Sequence, residues 1–401
     1  MLARPAAALL AGVLGIAAAA VAAAAVPAQE GCFSVPGSLF HAVEAPPVLK
    51  KASGWSFSGN GSVVGLLLPP DGGKARLVLL KGEKLVSELF LSPPPGYAFK
   101  SPELVLGPDG DTLAVVDEGF FAAYAGTTCQ WVEEKDPTNH RLFPFMDRDR
   151  FFWTVHPFDL IGENSPNGVV VWAKDLASGA RQAAWEIEKP DPQLPFPARY
   201  DLTKEAVAFA VPRQGGGLWV LEAYRGRILE KMPGKPVREV LAAGQRGWKR
   251  REDTPEGKEK LAKKEKELKE NLGALVALPP NMTDATKTEG KGPMVRHFSV
   301  RMVTRYFLRA ADRRGELLVQ LGSAEPKAAV LWVKGEREAS CFSFQELTRN
   351  AARAWEDNLA FTEHAVWLAE PFGYVPLADL EALANPSAAA PAEASRNEPR
   401  R

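Results

Sequence analysis

The chain has 401 residues with 49 basic and 49 acidic side chains, so its formal charge is zero. That balance lacks the basic excess that phosphate binding requires, which excludes DNA or RNA as an expected partner. Hydrophobic residues make up 46%, with ten Trp, enough apolar material for a large packed body rather than a disordered chain.

Residues 1–28 open with Arg4, continue as an unbroken run of Ala, Leu, Val, Gly and Ile, and end on Val26, Pro27 and Ala28 before the polar Gln29. This is the pattern of a secretory signal peptide, and it predicts an exported protein, periplasmic or extracellular. An uncleaved anchor is the alternative, because the run from Pro5 to Val26 is just long enough to span a bilayer, but its Ala-rich character suits a cleaved signal with no stable span afterwards. Gln29, Glu30 and Gly31 before Cys32 do not form a lipid-attachment box.

From residue 48 onward one unit recurs: a short strand, a tight polar turn, a buried strand, a loop, and a further strand. The clearest copies are PDGDTLAVVDEGFFAAYAG from Pro108, LTKEAVAFAVPRQGGGLWVLEAYRGRIL from Leu202, and RRGELLVQLGSAEPKAAVLWVKGE from Arg313. Turn anchors at Gly61, Gly110, Asp149, Lys204, Gly315 and His364 are mostly about 40 to 55 residues apart, the length of a four-stranded propeller blade. Trp172, Trp219 and Trp332 fall at matching points of what this alignment makes the third strand.

At PDGDTLAVVD and GGLWVLEAYRGRIL the chain resembles six-bladed propellers of the NHL and TolB-like kind. The resemblance implies a shape and carries no active-site residues. The expected fold is therefore all-β, a six-bladed β-propeller over 48–384, with a charged helical insertion at 242–295 between blades four and five. A seventh blade inside that insertion, or a pair of β-sandwiches, are the alternatives. Within the insertion Thr254 suits a helix cap, Pro255 the first turn and Gly273 the end, while Leu261, Leu268 and Leu272 form a narrow stripe. Residues 29–47 are expected to supply a ring-closing strand, with Cys32 to Phe40 pairing with the last blade, and 385–401 a disordered tail.

In such a ring the long connections between blades, at 93–102, 133–141, 188–200, 242–295 and 345–357, gather on one face, where binding concentrates. The loops between second and third strands are read as carrying Asp117, Glu118, His156, Asp159, Arg213, Glu325 and Glu370 around the channel mouth. Acids and imidazole together supply proton carriers and cation ligands, with Glu118, His156 and Asp159 the best group for a hydrolase or lyase. Each is also an ordinary turn residue, and no serine-hydrolase elbow, zinc-protease or phosphate-loop motif occurs. The first expectation is thus a binding or scaffold propeller holding a protein, peptide or glycan, with no metal and no cofactor. Of the three cysteines, a bond between Cys32 and Cys341 is expected, leaving Cys129 free, because Cys129 and Cys341 fall on opposite sides of the ring.

Overall fold

The computed structural model describes residues 31–45, 54–134, 141–155, 168–193, 202–242 and 305–385, apart from 323, 326 and 336–337, together with isolated positions between 249 and 266. Among the described residues, six antiparallel sheets of three or more consecutive strands succeed one another along the chain. Blade 1 comprises Ser56–Asn60, Val63–Asp71, Lys74–Lys81 and Lys84–Leu91. Blade 2 comprises Glu103–Leu106, Thr112–Val116, Phe120–Ala125 and Thr128–Glu134. Blade 3 is built from Arg141–Met146, Arg150–Val155, Val169–Asp175 and Arg181–Glu186, and blade 4 from Ala208–Arg213, Gly217–Glu222, Arg227–Lys231 and Arg238–Ala242. Blade 5 has Phe307–Arg313, Glu316–Leu321, Ala329–Gly335 and Glu338–Ser343, while blade 6 has Leu359–Phe361, Ala365–Leu368 and Gly373–Pro376.

The second strand of each blade is sandwiched between neighbouring blades, so it reads as a continuous apolar run such as Val63 to Leu68 rather than an alternating one. Several of the turns from first to second strands need residues that tolerate positive φ, and Gly61, between Asn60 and Val63, shows why. Its φ is +53°, and a Cβ there would run into the Pro108 carbonyl of blade 2.

Six apolar clusters fill the six gaps between blades. Leu77 and Leu106 join blades 1 and 2, Phe121 and Phe151 join 2 and 3, and Phe152 and Val220 join 3 and 4. Phe209 and Phe307 join 4 and 5, Trp332 and Leu359 join 5 and 6, and Leu66 and Trp367 join 6 and 1. The last contact closes the ring. Because blade 4 packs directly on blade 5, no seventh blade separates them.

Closure involves the amino-terminal segment twice. His41–Ala42 pairs antiparallel with Gly373–Tyr374 as the fourth strand of blade 6, and Phe33–Ser34 adds a fifth, parallel strand to blade 5 beside Phe342 and Ser343. This corrects the expectation that Cys32 to Phe40 pairs with the last blade: the segment straddles blades 5 and 6. The register Phe33 with Phe342 sets Cys32 next to Cys341, and the two form a disulfide with Cα atoms 4.4 Å apart. After blade 6 the chain ends its described course in a helix, Leu377–Ala384, which buries Leu377 and Leu380 and was not foreseen.

Blade 4 differs from the sequence alignment by one strand. Lys204 lies in a helical turn before the blade, Ala208–Arg213 is its first strand, and Gly215 and Gly216 form the turn that Lys204 was taken to mark. Trp219 therefore sits on a second strand, whereas Trp172 and Trp332 sit on third strands. Small apolar residues in AVAFAV look alike in either position, which is why the slip is invisible in sequence. In the insertion, Pro255, Lys258, Glu259, Ala262, Lys263 and Lys266 have helical backbone, and the rest of it lies outside the described residues apart from Lys249–Arg250. Those two pair with Ala324–Glu325. Residues 1–28 and 386–401 also lie outside. No helix of the described residues is long and apolar enough to cross a membrane.

Candidate functional site at the channel mouth

The innermost strand of each blade has one edge with no neighbouring strand, so its N–H and C=O groups need other partners. Side chains at alternate positions of Ser56–Asn60 supply them, since residues two apart in a strand point the same way. Ser56 Oγ accepts from Leu104 N at 2.9 Å and Ser58 Oγ from Leu106 N at 3.2 Å. Asn60 Nδ2 then donates to Leu106 O at 3.0 Å and to Met146 O at 2.7 Å, stapling blade 1 to blades 2 and 3.

Arg309 does the same from the other side. The first strand of blade 5 slips register between Phe307 and Arg309, so Leu308 is an inserted residue, and such a bulge re-aims the side chain that follows. Nη1 of Arg309 reaches Leu359 O of blade 6 at 3.0 Å and Phe57 O of blade 1 at 3.3 Å. The guanidinium lies deep within the ring, yet 40% of its side-chain surface stays open, because it faces the axial channel rather than packed protein. Enclosure pulls its pKa below the ordinary arginine value, with Asp357 and Glu103 opposing that shift.

Between these braces runs a cavity of about 1040 Å³, walled by Phe57, Phe143, Phe145, Phe209 and Phe361 of the inner strands. It opens on the face of the long connections, where Lys100, Trp55 and Arg353 line the rim. Arg353 stacks on Trp55 with 3.7 Å from Cζ to the ring centroid, and donates to Trp55 O at 2.6 Å and Asp357 O at 3.2 Å. Partial burial lowers its pKa too.

The structure brings only some of the expected site residues to this rim, and it gives several of them structural duties. Asp117 accepts backbone N–H groups of Lys100, Ser101 and Glu118 at 2.9, 3.1 and 2.6 Å. Glu370 Oε2 accepts from Ala352 N and Arg353 N at 2.8 and 3.0 Å, while its backbone is bound by the buried Asn358. Glu118 is exposed and lies 3.5 Å from Lys100 Nζ. Glu325 contributes its backbone to the short pairing with Lys249, and its side chain lies outside the described residues. His156 and Asp159 lie outside them as well, so the group of Glu118, His156 and Asp159 has no geometry here.

Arg213 is a correction. It ends a first strand, so it projects on the opposite face, where Nη2 meets Glu230 at 3.1 Å and the guanidinium covers Trp219 at 4.9 Å. Among the described residues no group of three or more His, Cys, Asp or Glu is placed to hold a metal ion. Asn60, Trp55, Arg309 and Arg353 were missed. The signal for Asn60 was available in Ser56, Ser58 and Asn60, a polar face on every second residue of an inner strand. Arg309 offered only a lone cation among apolar neighbours.

No family model and no curated protein matches the chain. Among solved structures, apo AztD from Citrobacter koseri aligns at 11% identity over 48% of this chain and 48% of its own, with a TM-score of 0.32. The chain thus spans about half the length of that protein. YCF48 bound to D1 peptide aligns at 12% identity over 80% of this chain and 74% of its own, with a TM-score of 0.34. Selenomethionine-substituted virginiamycin B lyase from Staphylococcus aureus aligns at 10% identity over 80% and 93%, with a TM-score of 0.35. Likenesses at this level transfer no residue and no activity, and the propeller assignment rests on the six sheets themselves.

Proposed function

We propose that this protein is an exported binding or scaffold propeller that holds a protein, peptide or glycan ligand at the channel mouth on its long-connection face. The observation that carries the reading is the axial cavity, which is walled by phenyl rings and rimmed by the Arg353 and Trp55 stack. A concave site in which aromatic walls meet convergent polar groups is a usual form of a ligand site, and here Ser56, Ser58, Asn60 and Arg309 supply polar groups beside the rings. Two of the acids expected around the mouth, Asp117 and Glu370, accept backbone N–H groups of neighbouring connections.

Export is supported by the signal-like pattern of residues 1–28 and by the Cys32–Cys341 bond, since disulfides persist in oxidising compartments. We also assign the charged run after Thr254 to a helix, a reading supported by the helical backbone of Pro255, Lys258, Glu259 and Ala262.

Peptide and glycan arrays probed with wild type and Trp55→Ala test the binding reading. Retention of one ligand class by the wild type, weakened at least about tenfold in Trp55→Ala, is the expected result. Absence of saturable binding on both arrays defeats it, and turnover of an arrayed ligand promotes the hydrolase or lyase alternative. Amino-terminal sequencing of the exported protein, expected to begin at Gln29, tests the compartment.

A further inference from the structure

The guanidinium of Arg309 is only half used. Nη1 is bound to Phe57 O and Leu359 O, whereas Nε and Nη2 have no hydrogen-bond acceptor among the described residues. The nearest carboxylate oxygen, Asp357 Oδ1, is 4.0 Å from Nη2, beyond hydrogen-bond range. Nε and Nη2 together form the edge of an arginine that grips a carboxylate through two parallel N–H···O bonds.

We infer that Arg309 is the receptor for a carboxylate of a peptide ligand that enters the axial channel, an inference that rests on the reading of this channel as a binding site. Three features meet at that point. The bulge at Leu308 aims the side chain at the axis, and bulges concentrate where a side chain must be re-aimed for a site. The cavity beside it is bounded by Phe143, Phe145 and Phe209, which suit an apolar side chain adjoining the carboxylate. Phe143 and Phe209 are already stacked at 4.7 Å, so this wall is preformed.

Asp357 and Glu103 line the same cavity and balance the Arg309 charge without hydrogen-bonding to it. A ligand carboxylate therefore breaks no hydrogen bond on arrival and displaces only the 4.0 Å ion pair with Asp357. The Asp357 side chain is 67% exposed and free to turn to solvent. The bonds that Nη1 makes fix the guanidinium plane before the ligand arrives, so little side-chain freedom is lost on binding.

The test uses randomised short peptides lacking Asp and Glu, synthesised once with free carboxyl ends and once amidated, and a third amidated pool carrying one internal Glu. Wild-type protein is expected to retain the acid-ended pool at least about tenfold more than the amidated one, the gain of a charge-assisted pair. Comparison with the third pool tells a chain terminus from an acidic side chain as the source of the carboxylate. Arg309→Gln keeps an amide donor for the Phe57 carbonyl but removes the charge, and is expected to erase the preference.

Equal retention of acid and amide by the wild type overturns the inference and leaves the binding reading intact, as does retention of glycans without any peptide. No retention of peptide or glycan overturns both. A preference that survives in Arg309→Gln also overturns the inference. If that variant does not fold, Asp357→Asn decides: removal of the competing acid should raise acid-ended retention about threefold, and an unchanged ratio refutes the role of Arg309.

Discussion

Asp117 and Glu370 follow the second strands of blades 2 and 6, and each carboxylate accepts two successive backbone N–H groups from the connection that enters its own blade. One acid per blade thus pins a long irregular segment to the rim of the channel. Both were read from the sequence as ligand-binding candidates, and both act on the chain itself. Substitution of Glu370 by Ala should leave two amides without an acceptor, at a cost of about 1 to 3 kcal/mol. Hydrogen exchange at Ala352 and Arg353 should then accelerate, and Asp117→Ala should do the same at Lys100 and Ser101. Glu118→Ala, at an exposed position, should change stability by no more than about 0.5 kcal/mol. Unaltered exchange at these four amides contradicts the clamp.

Asn60 gives a second, sharper case. Its amide nitrogen serves two carbonyls from two different blades. Asn60→Ala should lower the denaturant midpoint by an amount equivalent to about 1 to 3 kcal/mol, and Asn60→Asp should be worse, since a carboxylate would face the Leu106 and Met146 carbonyls. Equal stability of Asp and Ala variants would show that the staple is not closed in solution. The same geometry bears on the Asn-Gly-Ser sequon at 60–62, because a nitrogen engaged inside the ring is not available to carry a glycan.

The Cys32–Cys341 bond spans 309 residues. On the loop-entropy account a bridge of that span stabilises by about 6 kcal/mol at most, and strain or residual structure in the unfolded chain reduces the figure. Cys32→Ser should lower the melting temperature under non-reducing conditions and make it insensitive to reductant, whereas Cys129→Ser should leave the reductant response in place. A wild-type melting temperature indifferent to reductant argues against the bond.

Tyr124 sets an alkaline limit. Its hydroxyl donates to Ser92 O at 2.9 Å, and burial, followed by the proximity of Cys129 and Asp117, raises its pKa well above the ordinary value of about 10. The native state therefore keeps the proton when the unfolded chain has lost it. This contribution is complete below about pH 10 and declines as pH rises from there toward the folded pKa. Urea titrations between pH 9 and pH 11 should show a steeper loss of stability in wild type than in Tyr124→Phe, over roughly the interval just above the ordinary phenol pKa. Parallel slopes would place the alkaline sensitivity elsewhere.

The architecture was legible because blades repeat: Gly61, Gly110, Asp149, Gly315 and His364 do mark the turns after first strands. Blade 4 escaped because its turn, Gln214 to Gly216, follows a strand whose Ala and Val residues suit an inner or a second position equally. The short strands of the amino-terminal segment are two residues each, too short for periodicity to register, so the sharing between blades 5 and 6 was not readable. The rim was harder still. Whether Glu370 binds a ligand or a neighbouring loop depends on a contact with Ala352 and Arg353, 18 and 17 residues away, and no local pattern encodes it. Arg309 depends on a one-residue bulge, which leaves no mark in FLRAAD.

The placement of Phe33–Ser34 and His41–Ala42 on the last two blades also orders events in time. A chain made from its amino terminus presents these strands first, but their partners, near Phe342 and Tyr374, are made last. Until then blade 6 lacks its outer strand and the two ends of the ring have nothing to join them. Completion of the fold must therefore wait for nearly the whole polypeptide, a slow, long-range step of the kind that high sequence separation imposes.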